Sequence, residues 1–277
     1  MYYLRLRDKV WALDRPYIMG IINVTPDSFS DGGEADTPEK ALSRAEKLLS
    51  EGADILDIGA VSTRPGAPEV PEEEEYRRLL PALRAIRKAF PDVPISVDTF
   101  RGGIARAALE EGADLINDVS GGAWDPTLWP VIAQYQVPYI LMHIQGTPQT
   151  MQINPTYQNL LQEVWLYFVE KLQQLAQIGI HDVIIDPGFG FGKTLKHNYQ
   201  LLQSLRIFRR LGRPILVGIS RKSMLWRVLE VSPKETLWAS TALHWQALLA
   251  GARLFRVHDP LPLRHIFKIW EVWSSSP

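Results

Sequence analysis

Eight short apolar runs, rich in β-branched residues, recur along this chain, and their spacing is what most restricts the folds open to it. They are YIMGIINV (17–24), ADILDIG (53–59), PISVDT (94–99), DLINDVSG (114–121), YILMHI (139–144), VIIDPG (183–188), ILVGIS (215–220) and RLFRVHD (253–259). Each run is continuous rather than alternating, as in parallel strands covered on both faces. Between them lie stretches with helical spacing, such as PEKALSRAEKLLSEG and YQNLLQEVWLYFVEKLQQLAQIG, that open near Pro, Thr or Glu. A weak repeat links SEGADILDIG (50–59), EEGADLINDV (110–119) and LAGARLFRV (249–257): a helix tail, a glycine, then a strand. Gly52, Gly112 and Gly251 stand where a positive φ ends a helix. Strand and helix alternating eight times in 277 residues predict a (β/α)8 TIM barrel, one domain over 1–277. A doubly wound sheet is the alternative, because alternation alone does not show closure.

Charge and cysteine content exclude several function classes. Thirty basic and thirty-one acidic side chains leave a formal net charge of −1, so no global field gathers nucleic acid or an anionic membrane, and any anion site is local. With no cysteine, disulfides, thiolate zinc sites and a Cys nucleophile are ruled out. No run approaches a membrane span, and the opening residues are charged throughout. The expectation is a cytoplasmic protein without a membrane or nucleic-acid partner.

In a barrel, chemistry collects at the C-terminal ends of the strands. Those ends read Asn23; Ser62, Thr63 and Arg64; Asp98; Asn117 and Asp118; His143; Asp186; Ser220, Arg221 and Lys222; Arg256 and His258. A lone Asp after a strand is usually a helix cap, but eight polar strand ends in one chain are harder to assign to capping. Asp98, Asn117 and Asp186 suit a planar heterocycle with several N–H donors on one edge. Asn23, Arg64, Arg256 and His258, brought together by closure of the barrel, suit a phosphate or pyrophosphate. GFGFGKT (188–194) is one residue short of a P-loop and lacks the last glycine of GxGxxG. It reads as a turn whose Phe189 and Phe191 either flank a ligand or pack in the core. The EEEE at 72–75 reads as a solvated helix start, His143 as a satisfied buried histidine, and Trp238 and Trp245 as a packing or oligomer face.

In order along the chain, GIINVTPDSFSDGG, STRPGA, SVDT, INDVSGG, IIDPGFGFGK, HNYQLL, SRKSM and RVHD together closely resemble the dihydropteroate synthase family of pterin-binding enzymes. The resemblance implies a (β/α)8 barrel. It also implies a transferase that condenses 6-hydroxymethyl-7,8-dihydropterin pyrophosphate with 4-aminobenzoate, releasing pyrophosphate and 7,8-dihydropteroate in folate biosynthesis. By the same resemblance Asp98, Asn117, Asp186, Lys222 and Arg256 hold the dihydropterin, and Asn23, Arg64, Arg256 and His258 meet the pyrophosphate, with Mg2+ at Asn23. Asn23, Arg64, Lys222, Arg256 and His258 form the catalytic set. Phe29, Thr63, Pro65, Phe191 and Ser223 form the 4-aminobenzoate pocket, with Ser223 receiving the carboxylate. Segments 25–36 and 62–70 are expected to close over the substrates, and the family implies a homodimer; the apolar LWASTALHWQALL reads either as its interface or as a buried barrel helix.

Four departures stand out: Ala60 and Val61 replace a glycine and a glutamate, Ile144 a methionine, and Trp226 a glycine. Two rivals share the middle-strand acids. A methyltetrahydrofolate-dependent methyltransferase would need neither the pyrophosphate cations nor the long first loop. A silent pterin-binding homologue would not retain Asn23, Arg64, Lys222, Arg256 and His258 together.

Overall fold

A computed structural model of the protein describes residues 1–25 and 36–275. The chain opens with a hairpin, β1 (Tyr2–Leu6) and β2 (Lys9–Leu13), and then enters the barrel at β3 (Tyr17–Asn23). Next come α1 (Pro38–Ser50), β4 (Ile55–Gly59), α2 (Glu72–Ala89), β5 (Ile95–Asp98), α3 (Gly102–Glu110), β6 (Leu115–Asp118) and α4 (Leu128–Tyr135). They are followed by β7 (Tyr139–Met142), α5 (Leu160–Gln177), β8 (Val183–Asp186), α6 (Leu195–Gln203), β9 (Leu216–Val217) and α7 (Ser223–Leu229). The last elements are α8 (Leu237–Leu249), β10 (Leu254–Val257) and α9 (Pro260–Ser275).

Eight strands form one parallel sheet in the order β8-β7-β6-β5-β4-β3-β10-β9. A parallel bridge between Ile185 and Ile215 joins the two ends, with the Ile185 N–H donating to Pro214 O at 3.0 Å. This closure decides for the barrel over the doubly wound sheet. The chain's first helix shows how local sequence produces the outer ring. Thr37 caps α1 by accepting from the Lys40 N–H, Pro38 occupies the first turn, and Ala41, Arg44, Ala45 and Leu48 form its buried face. Gly20, on the outward face of β3, lets this helix approach: a Cβ there would lie 3.1 Å from Leu48.

Alternation along the strands divides the barrel into two cores. Outward residues such as Ile18, Ile22, Leu56, Ile58, Val97 and Val217 pack against the helices. Inward residues at the N-terminal ends, Met19, Ile55, Leu115, Ile140, Ile184, Leu216 and Leu254, fill the barrel floor together with Leu4 and Leu13 of the hairpin. The hairpin thus plugs the N-terminal end. It is an element that the apolar-run pattern does not predict, because its strands alternate and its turn runs through Arg7 at φ 56 rather than through glycine.

Gly52, Gly112 and Gly251 have φ of +99, +94 and +102, as expected from their place in the repeat. At Gly112 a Cβ would also press Arg87 Cγ and Nε at 3.2 Å, where that arginine donates from Nε and Nη2 to Gly112 O. Gly112→Ala is therefore expected to cost about 1–2 kcal/mol in urea unfolding, with an unchanged urea dependence.

Candidate active site

A cavity of about 660 Å³ opens at the C-terminal end of the barrel. Asn23, Thr63, Arg64, Pro65, Asp98, Phe191, Lys222, Ser223, Arg256 and His258 all line it. Asn117 and Asp186, at the C-terminal ends of β6 and β8, are nearly covered and are not part of its lining. Phe29 lies outside the described residues, as does most of segment 25–36. Segment 62–70 is described: Gly66 N–H donates to Pro148 O at 3.0 Å and Gln149 Nε2 to Ala67 O at 3.3 Å, tying this loop to the one after β7.

One arginine organises the floor. Arg256, from β10, donates from Nε to Asp57 Oδ2 at 2.5 Å and from Nη2 to Asp98 Oδ2 at 2.8 Å. Asn117 Nδ2 donates to the same Asp57 oxygen at 3.3 Å. Burial, reinforced by the carboxylates of Asp57, Asp118 and Glu75, pushes Asp98 up to about 7 against the pull of Arg256. Burial likewise raises Asp186, whose Oδ1 accepts the Gly188 N–H at 2.8 Å while Lys222, Lys193 and Arg256 favour its charge. Lys222 is pushed down to about 8 by burial and by Arg256, and its Nζ lies 4.0 Å from the centre of the Phe191 ring. Were Asp98 to accept as a carboxylate and Lys222 to donate as an ammonium, both charged forms would be needed at once. In the free enzyme kcat/KM is therefore expected to rise through about pH 7 and fall above about pH 8. A profile flat from pH 6 to 9 would rule out these two groups.

His258, at the end of β10, is buried between cations. Burial and then Arg221, Arg256, Arg44 and Arg64 hold it well below the usual histidine range, so it is neutral. Ser220 Oγ accepts the His258 backbone N–H at 3.3 Å and lies 3.0 Å from Nδ1. With the hydroxyl proton directed at Nδ1, the imidazole carries its own proton on Nε2, as a donor. Arg44 Nη2 donates to His258 O at 2.5 Å and fixes the backbone.

The glycine-rich turn after β8 separates its two phenylalanines. Phe189 is buried in the outer core, whereas Phe191 lines the cavity. Lys193 Nζ anchors the turn from within, donating to the carbonyls of His143, Gly188 and Phe191 and lying 2.9 Å from His143 Nδ1. His143 is thus the satisfied buried histidine expected from sequence.

The expectation for 72–75 needs correction. Glu72 and Glu73 are exposed, but Glu75 is 0% exposed; it accepts from Thr99 Oγ1 at 2.8 Å and pairs with Arg101, which also donates to Val70 O at 2.7 Å. It stitches the start of α2 to the loop after β5, a role that the helix-start signal conceals. Sequence reasoning also missed Asp57, a carboxylate in the middle of the apolar strand β4. The signal was present, because a charge inside a fully covered strand must face a counter-charge. Of the departures, Ala60 is buried, while Val61 and Trp226 reach the cavity wall.

The pattern of the family described as "Pterin binding enzyme" matches residues 19–258. The dihydropteroate synthase of Synechocystis is 44% identical over 258 residues, covering 92% of this chain and 89% of the relative. The Yersinia pestis dihydropteroate synthase, solved with a sulfonamide drug, superposes with a TM-score of 0.95 at 41% identity, covering 99% of this chain and 100% of the other. The Xanthomonas albilineans dihydropteroate synthase, solved with 4-aminobenzoic acid, superposes at 0.92 with 40% identity and 99% coverage of both chains. The chain belongs to the pterin binding enzyme family, where the relatives it resembles are dihydropteroate synthases.

Proposed function

We propose that this cavity joins 6-hydroxymethyl-7,8-dihydropterin pyrophosphate to 4-aminobenzoate, giving 7,8-dihydropteroate and pyrophosphate. The observation that carries this reading is the meeting of two chemical sets in one cavity. Carboxylates and an amide lie at and beneath the floor, and Arg64, Lys222, Arg256 and a neutral His258 line the wall. A likeness to a solved relative holding 4-aminobenzoic acid supports the second substrate. The methyltransferase alternative gives no use for the wall cations, and the silent binder gives none for their proximity to the pterin acids.

Asp98, Asn117 and Asp186 accept and donate along the pterin edge, while Lys222 donates to it from beside Phe191. Arg64, Arg256 and the His258 Nε2–H stabilise charge building on the departing pyrophosphate. The carbon–oxygen bond to the methylene breaks, the arylamine nitrogen forms the new bond, and its proton leaves to solvent. Water is the competing nucleophile, so loops that cover the site favour the amine. Ser223, with Thr63, Pro65 and Phe191, forms the 4-aminobenzoate wall.

Among the described residues no cluster of three His, Asp or Glu could cage a metal ion. Asn23 fits Mg2+ held in another way: it lines the cavity and carries an amide oxygen, and Mg2+ characteristically takes few protein oxygens, completing its shell with water and substrate phosphates. When bound there, Mg2+ would neutralise charge on the pyrophosphate.

The homodimer reading rests on α8 and α9, where Trp238 is 77% exposed and Ile269, Val272 and Trp273 are also exposed. Trp245, by contrast, packs on the core and meets Trp273 edge-on at 5.9 Å. Among the described residues no helix is long and apolar enough to cross a membrane.

The function is tested by mass spectrometry of a reaction containing both substrates and Mg2+. The mass of 7,8-dihydropteroate is expected only when both are present, and its absence would refute the proposal.

A further inference from the structure

Asp57 is assigned no part in the chemistry above, yet it is a fully enclosed carboxylate at the site. It sits in the middle of β4, is 0% exposed and is not on the cavity wall, so it lies under the floor rather than beside a substrate. Its Oδ2 takes the Arg256 Nε proton at 2.5 Å and an Asn117 Nδ2 proton at 3.3 Å. Its Oδ1 is buried with no hydrogen-bond partner, and so is Ser96 Oγ on the register-paired residue of β5. A carboxylate so poorly solvated directs its charge at the one cation it touches.

The geometry of that contact is selective. The Nε and Nη2 donors form one edge of the guanidinium, and this edge is divided between Asp57 on β4 and Asp98 on β5. Among the described residues Arg256 Nη1 has no hydrogen-bond partner, while the side chain lines the cavity. A rigid fork held by one edge keeps its remaining donors available to a ligand in the cavity that its side chain lines. The single positive charge is shared by two acids, and Asp57 bears on the ionisation of Asp98.

Resting on the dihydropteroate synthase reaction proposed above, we infer that Asp57 is a positioning residue for that reaction: it pins Arg256 by Nε from below, aims Nη1 at the pyrophosphate, and governs whether Asp98 is ionised. The charged groups that bear on Asp98 are Arg256 from β10, Asp57 from β4, Asp118 from β6, Glu75 from α2 and Lys222 at the start of α7. Of these, Asp57 shares the same guanidinium edge. Replacing its charge by an amide removes a like charge from Asp98 and leaves Arg256 entirely to it, and both changes favour ionised Asp98.

The test uses Asp57→Asn in the full chain, with wild-type turnover of both substrates as the control. Failure of the wild type to form product would refute the reaction itself and is thereby separated from failure of this inference. The variant is expected to bind a pterin, followed by its fluorescence, within about threefold of wild type, while kcat falls about 10²-fold. The acid limb of kcat/KM is expected to move about one pH unit lower. A merely structural loss would lower activity without moving the limb, and that result, or wild-type kcat with an unmoved limb, would overturn the assignment. Arg256→Gln supplies the second background, in which the shared cation is gone and both acids remain. There, adding Asp57→Asn is expected to change kcat less than about threefold, because Asp57 acts through Arg256. A fall of about tenfold or more in that background would show independent action and overturn the assignment. Should Asp57→Asn alone not fold, the comparison of Arg256→Gln with the double variant decides by itself.

Discussion

Arg256→Met is expected to lower kcat by about 10³-fold, with the Michaelis constant for the arylamine changed far less. Removal of one preorganised donor to a developing anion typically costs about 10²–10³-fold, and in the proposed reaction Arg256 serves both the pterin ring and the leaving group. The same change strands two acids. Asp57 and Asp98 lose the guanidinium that both contact, and leaving a buried charge uncompensated costs roughly 3–5 kcal/mol. Asp98 relieves part of this by protonating. Its ordinary value is raised by burial, so in the variant, without the arginine, the folded-state value rises further above the unfolded one. A raised acid stabilises the folded state at low pH and loses that contribution as pH rises through its folded value; wild-type Asp98 already titrates near 7, so the stability deficit should shrink as pH falls from above 8 to about 7 and level off below. Thermal melts across that range measure it. Arg256→Lys restores charge but not the divided edge, and should recover stability more completely than kcat.

Asp186→Asn is the second large effect, and it falls on the first substrate. The carboxylate is nearly covered, receives the Gly188 N–H, and faces the positive charge of Lys222, Lys193 and Arg256. An amide keeps the Gly188 bond but puts an NH2 where the proposed reaction has a pterin N–H accepted. One charge-assisted bond is lost and one buried donor is opposed. These changes are expected to lower kcat/KM for the dihydropterin pyrophosphate by about 10²–10³-fold. Ser223→Ala should leave that parameter nearly unchanged and instead weaken saturation by the arylamine, raising its Michaelis constant. Steady-state kinetics with each substrate varied in turn separate the two halves of the cavity.

The fold was legible because its strongest determinant is also local. Continuous apolar runs can only be strands covered twice, and glycines at the helix ends mark each return to the sheet; both features appear as expected at Gly52, Gly112 and Gly251. Closure was not legible, since Ile185 and Ile215 carry no mark of their pairing. The cavity wall was also readable, because a polar residue ending an apolar strand has few reasons to be there; ten of the predicted residues line one cavity. What escaped was the layer beneath. Asp57 is surrounded in sequence by Leu56 and Ile58 and gains its meaning only from Arg256, 199 residues away. Glu75 looks like any acid in a first helical turn until Thr99 and Arg101 close on it. Such residues are fixed by partners distant in sequence, which a single chain read in order does not pair.

Pyrophosphate release is the most direct measurement of the central claim that the pterin acids and the wall cations serve one reaction. With 6-hydroxymethyl-7,8-dihydropterin pyrophosphate, Mg2+ and 4-aminobenzoate, release should be sustained and should match the coupled product one for one. Withholding the arylamine should leave only slow release to water. No release with both substrates, or a rate indifferent to 4-aminobenzoate, would contradict the claim.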